Sequence, residues 1–216
     1  MAGSKQEQFP KELYSPSAKE VTLVKVPRMN FLMIEGKGNP AKSKEFQEAI
    51  GALYGTAYTM RFMFEKGHPI RAAAIGSLEG LFWTGRRAGR FRMDYKAREL
   101  HWKLMLVQPR KVTKKAVDAA VGKLREKKDQ ALLSRLRFES FSEGAAVQTM
   151  HLGPYSEEMP TIGRLLSFAT ERGFEVLGPH HEIYLSDPHR TKPEKLKTVV
   201  RYAVSRKPRG HGVPAR

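Results

Sequence analysis

The order strand, helix, strand, strand is predicted twice along this chain of 216 residues. In the first half, β-branched and apolar residues predict strands at 21–26 and 29–35. After Ser43, which is suited to capping a helix, apolar residues recur at the three- and four-residue spacing of an amphipathic helix. Further strands are predicted at 73–83 and 100–107. A repeated order of elements indicates two related units packed about a pseudo-twofold axis.

The second half follows the same plan. Strands are predicted at 145–151, 176–185 and 197–204, and a helix begins near Pro160 and ends at Gly173. Between the halves, Thr113 can cap a helix, and a short helical piece is predicted at 130–136. The sequence predicts a flexible arm at residues 1–17, a single domain at 18–205 and a basic tail at 206–216. The domain consists of two half-units, 18–109 and 137–205, with a helical insertion at 112–136.

Aligning the two halves places Glu79 and Glu182 in equivalent strands, because Glu79-Gly-Leu-Phe-Trp83 corresponds to Glu182-Ile-Tyr-Leu-Ser186. If these strands flank a groove, two carboxylates and several aromatic rings converge on it. The expected fold is therefore α+β, with two pseudo-symmetric βαββ units forming an antiparallel sheet around a central ligand cleft.

Glu182 lies within a short, otherwise apolar and aromatic strand pattern, where an unpaired charge costs several kcal/mol. Side chains alternate along a strand, so His180, Glu182 and Tyr184 are predicted to share one face. A carboxylate on that face can pair with a cationic ligand, or act as a general base for water if burial raises its pKa. The alternative is a structural role, with Glu182 bonded to an arginine or to backbone amides.

Aromatic side chains can supply flat walls for a planar or cationic ligand. For any one of them, packing in the core is the competing interpretation. Tyr155 and Tyr184 are the stronger candidates, since each adds a hydroxyl group. The predicted ligand-binding residues are Tyr54, Tyr58, Glu79, Phe82, Trp83, Trp102 and His180.

Several kinds of chemistry are disfavoured. The chain contains no cysteine, which excludes thiol catalysis and thiolate metal sites. It shows no glycine-rich phosphate loop and no Ser-His-Asp order, so no cofactor is expected. His180 and Glu182 are too few to hold a metal ion, and His151 is the only further histidine expected nearby, so no metal site is predicted.

The formal net charge of +17 is compatible with a nucleic-acid partner, because clustered Lys and Arg gain affinity for phosphates by releasing counterions. The basic residues fall in predicted loops, on a helix face and in the tail, and no DNA- or RNA-binding signature accompanies them, so a solvated surface is the preferred interpretation. No apolar stretch predicts a membrane span or a secretory signal, and a cytoplasmic location is expected; the oligomeric state is left open.

Several motifs together resemble the family of GyrI-like small-molecule-binding proteins. They are His151-Leu-Gly-Pro-Tyr155, Pro160-Thr-Ile162, His180-His-Glu-Ile-Tyr-Leu-Ser-Asp-Pro188, Pro193-Glu-Lys-Leu-Lys-Thr198 and, in the first half, Leu78-Glu-Gly-Leu-Phe-Trp83 with the strand 104–109. The resemblance covers roughly residues 19 to 205. It implies the fold of the effector-binding domains of multidrug-responsive transcription regulators, with a cleft between paired βαββ units. Such regulators carry a separate DNA-binding domain, and because the sequence offers no room for one before residue 19, a stand-alone member is expected.

One branch of this family hydrolyses the cyclopropane ring of flat, DNA-alkylating natural products in an aromatic cage. This sequence is most similar to that branch in three features: the stand-alone length of the chain, the adjacent aromatic residues Phe82 and Trp83, and the helical insertion. The leading hypothesis is a binder of planar hydrophobic or cationic xenobiotics with this hydrolysis as an added activity. Glu182 would then position or deprotonate a water, and Tyr155 or Tyr184 would stabilise the oxyanion. The alternative is a non-enzymatic protein that regulates a transcription or DNA-handling partner; a third possibility is tetrapyrrole binding.

Overall fold

The computed structural model describes residues 9–72, 75–85, 100–126 and 131–207, and it is an α+β structure built on one eight-stranded antiparallel sheet. The strands are β1 (Thr22–Val26), β2 (Met29–Lys37), β3 (Leu78–Thr84), β4 (Leu100–Gln108), β5 (Arg137–Phe141), β6 (Gly144–Leu152), β7 (Phe174–Tyr184) and β8 (Lys197–Arg206). The helices are α1 (Lys11–Tyr14), α2 (Lys44–Met63), α3 (Pro69–Ala72), α4 (Lys114–Arg125) and α5 (Met159–Glu171), with short 3₁₀ turns at Ala131–Ser134, Tyr155–Glu157 and Pro193–Lys195.

The sheet order is β1-β6-β8-β7-β3-β4-β2-β5. The units β2-α2-β3-β4 and β6-α5-β7-β8 meet where β3 pairs with β7, which confirms the predicted pseudo-symmetric arrangement. Each unit also receives an edge strand from the other half, because β1 pairs with β6 and β5 pairs with β2. The strand β5 was not predicted: it is short and largely exposed, and its polar residues hide the alternating pattern.

Helices α2, α4 and α5 lie on one face of the sheet. The predicted caps are confirmed: the Ser43 hydroxyl accepts from the Phe46 amide at 3.1 Å, and the Thr113 hydroxyl accepts from the Ala116 amide at 3.3 Å. Helix α2 packs on β2 and β4, whereas α5 packs on β6, β7 and β8. The helix-bearing face of β3 and β7 therefore lies between α2 and α5, and we call this region the cleft.

The strand predicted at 73–83 begins later, at Leu78. Pro69 instead starts the short helix α3, as expected for a residue whose φ is already helical and whose missing N–H costs nothing at a helix start. Residues 75–77 are not in a strand, and residues 73–74 lie outside the described residues.

The prediction of a flexible arm is wrong for residues 9–17. Leu13 of α1 is buried with Val26 and Ala146, and the Tyr14 hydroxyl donates to Glu79 Oε1 at 2.7 Å. This segment covers the sheet face opposite the cleft, which we call the arm face. Residues 1–8, 86–99 and 127–130, and the tail beyond Lys207, lie outside the described residues.

Within the described ranges, no helix combines the length and the apolar character needed to cross a membrane.

Candidate functional site

The floor of the cleft is formed by paired residues of the two central strands. Gly80 of β3 lies opposite Glu182 of β7, and Phe82 lies opposite His180. Residues opposed in an antiparallel pair point to the same side, so the predicted alternation is confirmed: His180, Glu182 and Tyr184 all face the cleft.

Gly80 makes room in this floor. A Cβ atom at position 80 would lie 2.7 Å from the Phe82 ring and 3.2 Å from the Tyr184 hydroxyl oxygen. Glycine is therefore the residue that lets both rings lie beside Glu182. Sequence reasoning did not identify this role, although Gly80 stands within the motif 78–83.

A buried histidine, His180, lies among the charged groups of the cleft. His180 is fully buried, its Nε2 atom lies 2.8 Å from Glu182 Oε1, and its Nδ1 atom lies 2.6 Å from the Tyr202 hydroxyl. Burial alone would lower the pKa of His180, but the carboxyl groups of Glu158 and Glu182 outweigh it and raise the pKa to about 9. At neutral pH His180 is therefore an imidazolium ion that donates to Glu182.

The structure adds a second carboxyl group to the cleft, that of Glu158. Glu158 is the N-cap residue of α5, but its side chain makes no capping hydrogen bond; it is 2% exposed, and its carboxyl group lies 3.6 Å from His180 Nε2. Neither carboxyl oxygen has a hydrogen-bond partner among the described residues. Burial and the charge of Glu182 raise the pKa of Glu158, although His180 opposes the shift. The sequence alone shows Glu158 as an acidic residue just before a predicted helix, where its charge favours the helix start, and nothing local shows that it points inward.

Two tyrosines, Tyr155 and Tyr184, lie near the carboxyl groups of Glu158 and Glu182. The rings of Tyr155 and Tyr184 meet edge to face with centroids 5.7 Å apart. Tyr155 is 39% exposed, so its ring reaches the mouth of the cleft. Burial and the charges of Glu182 and Glu158 raise the pKa of Tyr155 to about 12, and burial with the charge of Glu182 also raises the pKa of Tyr184. Both phenols are therefore protonated near neutral pH and can donate hydrogen bonds.

Helix α2 carries a row of aromatic rings. Tyr54, Tyr58 and Phe62 follow one another at four-residue spacing, with centroids 6.4 and 6.3 Å apart. Tyr54 is half-buried and packs against the same core cluster as Tyr184, whereas Tyr58 is 46% exposed. Of the two predicted residues on this helix, Tyr54 therefore lies nearer the cleft floor and Tyr58 nearer solvent.

The prediction of a cleft wall is wrong for both tryptophans. Trp83 lies on the arm face, where it stacks on His101 with centroids 5.6 Å apart. Trp102 is on the helix side but is fully buried beneath Phe46, with its ring over Gly36. A two-residue period assigns Trp83 to a face but does not show which face the helices cover, and burial of Trp102 depends on α2.

Glu79 does not join Glu182 in the cleft, because it is opposed to Ile183 and therefore lies on the arm face. There its Oε2 atom is 3.0 Å from His181 Nε2. His181 Nδ1 lies 3.0 Å from Glu143 Oε1, and Arg201 Nη1 donates to Glu143 Oε2 at 3.3 Å. The two glutamates were aligned correctly to paired strands, but the antiparallel register is offset by one residue, which sends their side chains to opposite faces.

Glu158, His180 and Glu182 also form a possible metal-binding group, with one ligand atom from each lying within 4.8 Å of the others. The sequence prediction counted two of these three residues. Both ring nitrogens of His180 already have protein partners, however, since Nε2 pairs with Glu182 and Nδ1 with Tyr202. A metal ion would have to break the first contact, because the imidazole is hydrogen-bonded between Glu182 and Tyr202, with the Glu158 carboxyl group 3.6 Å from Nε2.

A separate cavity of about 450 Å³ lies between α4, the turn at 131–134 and β5. The charges on its lining are surface groups such as Lys114 and Asp118, which pair with each other at 2.7 Å. Neither the buried carboxyl groups nor the tyrosines of the cleft line this cavity. We therefore locate the candidate site in the cleft.

Comparison with protein families gives a match to the GyrI-like small-molecule-binding domain over residues 108–204. Comparison with curated proteins gives no match.

Solved structures extend the similarity to nearly the whole chain. An uncharacterised conserved protein from Listeria innocua is 37% identical, with a TM-score of 0.81, over 91% of this chain and 97% of that one. A hydrolase from the same organism is 36% identical, with a TM-score of 0.78, over 91% and 96%. The C-terminal domain of EcmrR is 11% identical with a TM-score of 0.51, over 87% and 98%, and shares the fold alone.

Proposed function

The chain belongs to the family of GyrI-like small-molecule-binding domains, and on that premise we propose that it binds planar hydrophobic or cationic xenobiotics in the cleft. We propose further that it detoxifies DNA-alkylating compounds in the cytoplasm by adding water across a strained cyclopropane ring. The observation that carries this proposal is the buried Glu182, which faces the cleft, is paired with His180 and lies below two phenol groups. A solved relative at 36% identity is described as a hydrolase, which supports the hydrolytic part.

Binding follows from the shape and charge of the cleft. The edge-to-face pair Tyr155 and Tyr184, with Tyr54 on the opposite helix, offers rings to a flat ligand. The Glu182 carboxylate offsets the positive charge of His180 at the floor, and the faces of the aromatic rings attract ligands with a positive end. A planar molecule that carries partial positive charge at its reactive carbon combines both preferences.

In the hydrolysis, Glu182 takes a proton from water, and the water oxygen attacks the ring carbon. The ring C–C bond breaks, and its electron pair moves into the carbonyl group conjugated to the ring. Tyr155 or Tyr184 donates a hydrogen bond to the oxygen that gains charge, as their raised pKa values permit. Holding the ligand flat against the floor keeps the reacting atoms aligned.

The test is the substitution Glu182→Gln, which keeps the size of the side chain but removes the base. We expect kcat for a spirocyclopropyl dienone to fall by about 100-fold or more, the range typical of losing a general base. Folding should be preserved, as judged by circular dichroism. Glu175→Gln is the matched control, because Glu175 lies at the far end of the same strand and bonds to Ser205.

Unchanged turnover in Glu182→Gln would contradict the assignment of the base. If the wild type binds such compounds without converting them, the protein is a binder, and Glu182→Gln should then weaken cationic ligands much more than neutral ligands of the same shape.

A further inference from the structure

Hydrolysis of a strained ring needs an acid as well as a base. When the ring opens, the carbonyl oxygen must gain a proton while water loses one. Glu182 accepts one proton per turnover and the carbonyl oxygen gains one, so a complete cycle needs a proton donor for that oxygen and a route that takes the proton away from Glu182. The residues assigned so far account for neither step, because a phenol with a pKa of about 12, as in Tyr155, stabilises charge better than it gives up its proton.

Glu158 is placed to supply the proton. It is 2% exposed, and among the described residues nothing donates a hydrogen bond to its carboxyl group, which is the surrounding that favours the neutral acid. The groups that face it come from three parts of the chain: His180, Glu182 and Tyr184 on β7, His151 on β6, and Tyr155 in the turn before α5.

His180 is placed to return the proton. Its Nε2 atom lies 2.8 Å from Glu182 and 3.6 Å from Glu158, so a single ring nitrogen faces both carboxyl groups. The other ring nitrogen is fixed by the Tyr202 hydroxyl at 2.6 Å, which holds the imidazole in the plane where Nε2 can serve either partner. Tyr202 is fully buried, and it therefore acts as a positioning residue.

Resting on the ring hydrolysis proposed above, we propose that Glu158 is the general acid, Glu182 is the general base, and His180 carries the proton from Glu182 back to Glu158. In the chemical step, water gives a proton to Glu182 and its oxygen bonds to the ring carbon, while the opened carbonyl oxygen takes the proton of Glu158. The imidazolium then donates its Nε2 proton to the Glu158 carboxylate and accepts the proton of Glu182. The net change is the addition of one water to the ligand, and the three residues return to their starting state.

Two carboxyl groups that lie in different surroundings commonly divide acid and base roles in this way. The pKa of Glu158 is raised by burial and by the charge of Glu182, which supports its assignment as the acid.

The first experiment compares Glu158→Gln with Glu157→Gln, its exposed neighbour in the same turn. With a spirocyclopropyl dienone as the probe, we expect kcat of Glu158→Gln to fall about 100-fold or more with little change in KM, and Glu157→Gln to match the wild type. The infrared carbonyl band of a protonated carboxyl group at neutral pH should disappear in Glu158→Gln and persist in Glu157→Gln. If Glu158→Gln does not fold, Glu158→Asp, which withdraws the carboxyl group by one methylene, should lower kcat in the same direction.

Wild-type turnover in a folded Glu158→Gln variant would overturn the acid role and leave the ring hydrolysis standing. Absence of turnover in the wild type would overturn both the hydrolysis and the acid role that rests on it.

The second experiment tests the proton return with His180→Gln in rapid-mixing kinetics. We expect a burst of one product per site followed by slow turnover, because the first reaction uses the proton already on Glu158. A slow linear course without a burst would overturn the return role. Tyr202→Phe keeps the imidazole but removes the hydroxyl group at Nδ1. This variant should also show a burst, with a smaller difference between the burst rate and the later turnover rate.

Discussion

At the scale of single residues, His180 decides the character of the cleft. A fully buried histidine would normally be neutral, but here the carboxyl groups of Glu158 and Glu182 lie near Nε2 of His180, and the Tyr202 hydroxyl group contacts its Nδ1 atom. The site therefore contains an internal cation, and Glu182 is paired before any ligand arrives.

The pairing of His180 predicts how stability depends on pH. Its pKa in the folded protein is about 9, above the ordinary value of 6.5, so its contribution is complete below about pH 6.5 and is lost as the pH rises through 9. Denaturant unfolding of the wild type and of His180→Gln should give a stability difference that shrinks between pH 7 and pH 10, by up to ~3 kcal/mol. A difference that stays constant over this interval would contradict the assignment of a charged His180.

At the scale of elements, the contact between β3 and β7 depends on a position without a side chain. These two strands belong to different half-units, and their pairing joins the halves. Gly80 lies opposite Glu182, in the floor of the cleft, where the rings of Phe82 and Tyr184 occupy the space that a Cβ atom would need. Close packing leaves those rings little room to move away.

We therefore expect Gly80→Ala to destabilise the protein by about 1–3 kcal/mol through overpacking, and to weaken ligand binding because Tyr184 must shift. Gly51→Ala is the control: Gly51 lies within α2 and has no atom within 4 Å of its would-be Cβ, so alanine there should stabilise the helix by roughly 0.5–1 kcal/mol. Thermal unfolding measures both effects. Equal stabilities for the two variants would show that the floor is looser than its geometry indicates.

At the scale of the whole molecule, a buried ionic cluster on the arm face connects α1 with several strands of the sheet. Arg201 of β8 donates to Glu143 at 3.3 Å, to Gln148 at 2.9 Å and to the Leu13 carbonyl oxygen at 2.7 Å. Through His181 the cluster continues to Glu79 and Tyr14. It thus ties α1 to strands of both half-units, directly behind the strand that carries Glu182.

Removing Arg201 should be costly for this reason. We expect Arg201→Met to lower the free energy of unfolding by about 3–5 kcal/mol, since it leaves the buried carboxylate of Glu143 without one of its two partners, Arg201 and His181. Lys114→Met removes an exposed pair with Asp118 and should cost only about 0.3–0.5 kcal/mol. Urea unfolding of both variants makes the comparison. A small loss for Arg201→Met would mean that the cluster contributes little to holding the arm.

The same cluster predicts that the folded protein loses stability at acidic pH. Burial tends to raise the pKa of Glu143, but His181 and Arg201 outweigh it and lower the pKa below its ordinary value of 4.5. The stabilisation by Glu143 is therefore present above that value and is lost as the pH falls through the lower, folded-state pKa.

The sequence by itself determined most of the elements and their repetition. Helix caps at Ser43 and Thr113, the alternation of His180, Glu182 and Tyr184, and the two βαββ units follow from patterns within a few residues of one another. These are local properties, since side-chain direction along a strand and the capping of a helix depend on neighbouring residues.

Only the tertiary structure decided which side chains meet. The pairing register sent Glu79 and Glu182 to opposite faces, helix α2 buried Trp102, and the start of α5 brought Glu158 to His180. The short strand β5 and the docked α1 also depend on partners distant in the chain. Register and burial are set by contacts between segments far apart in sequence, and a one-residue offset between two strands is enough to exchange one face of a sheet for the other.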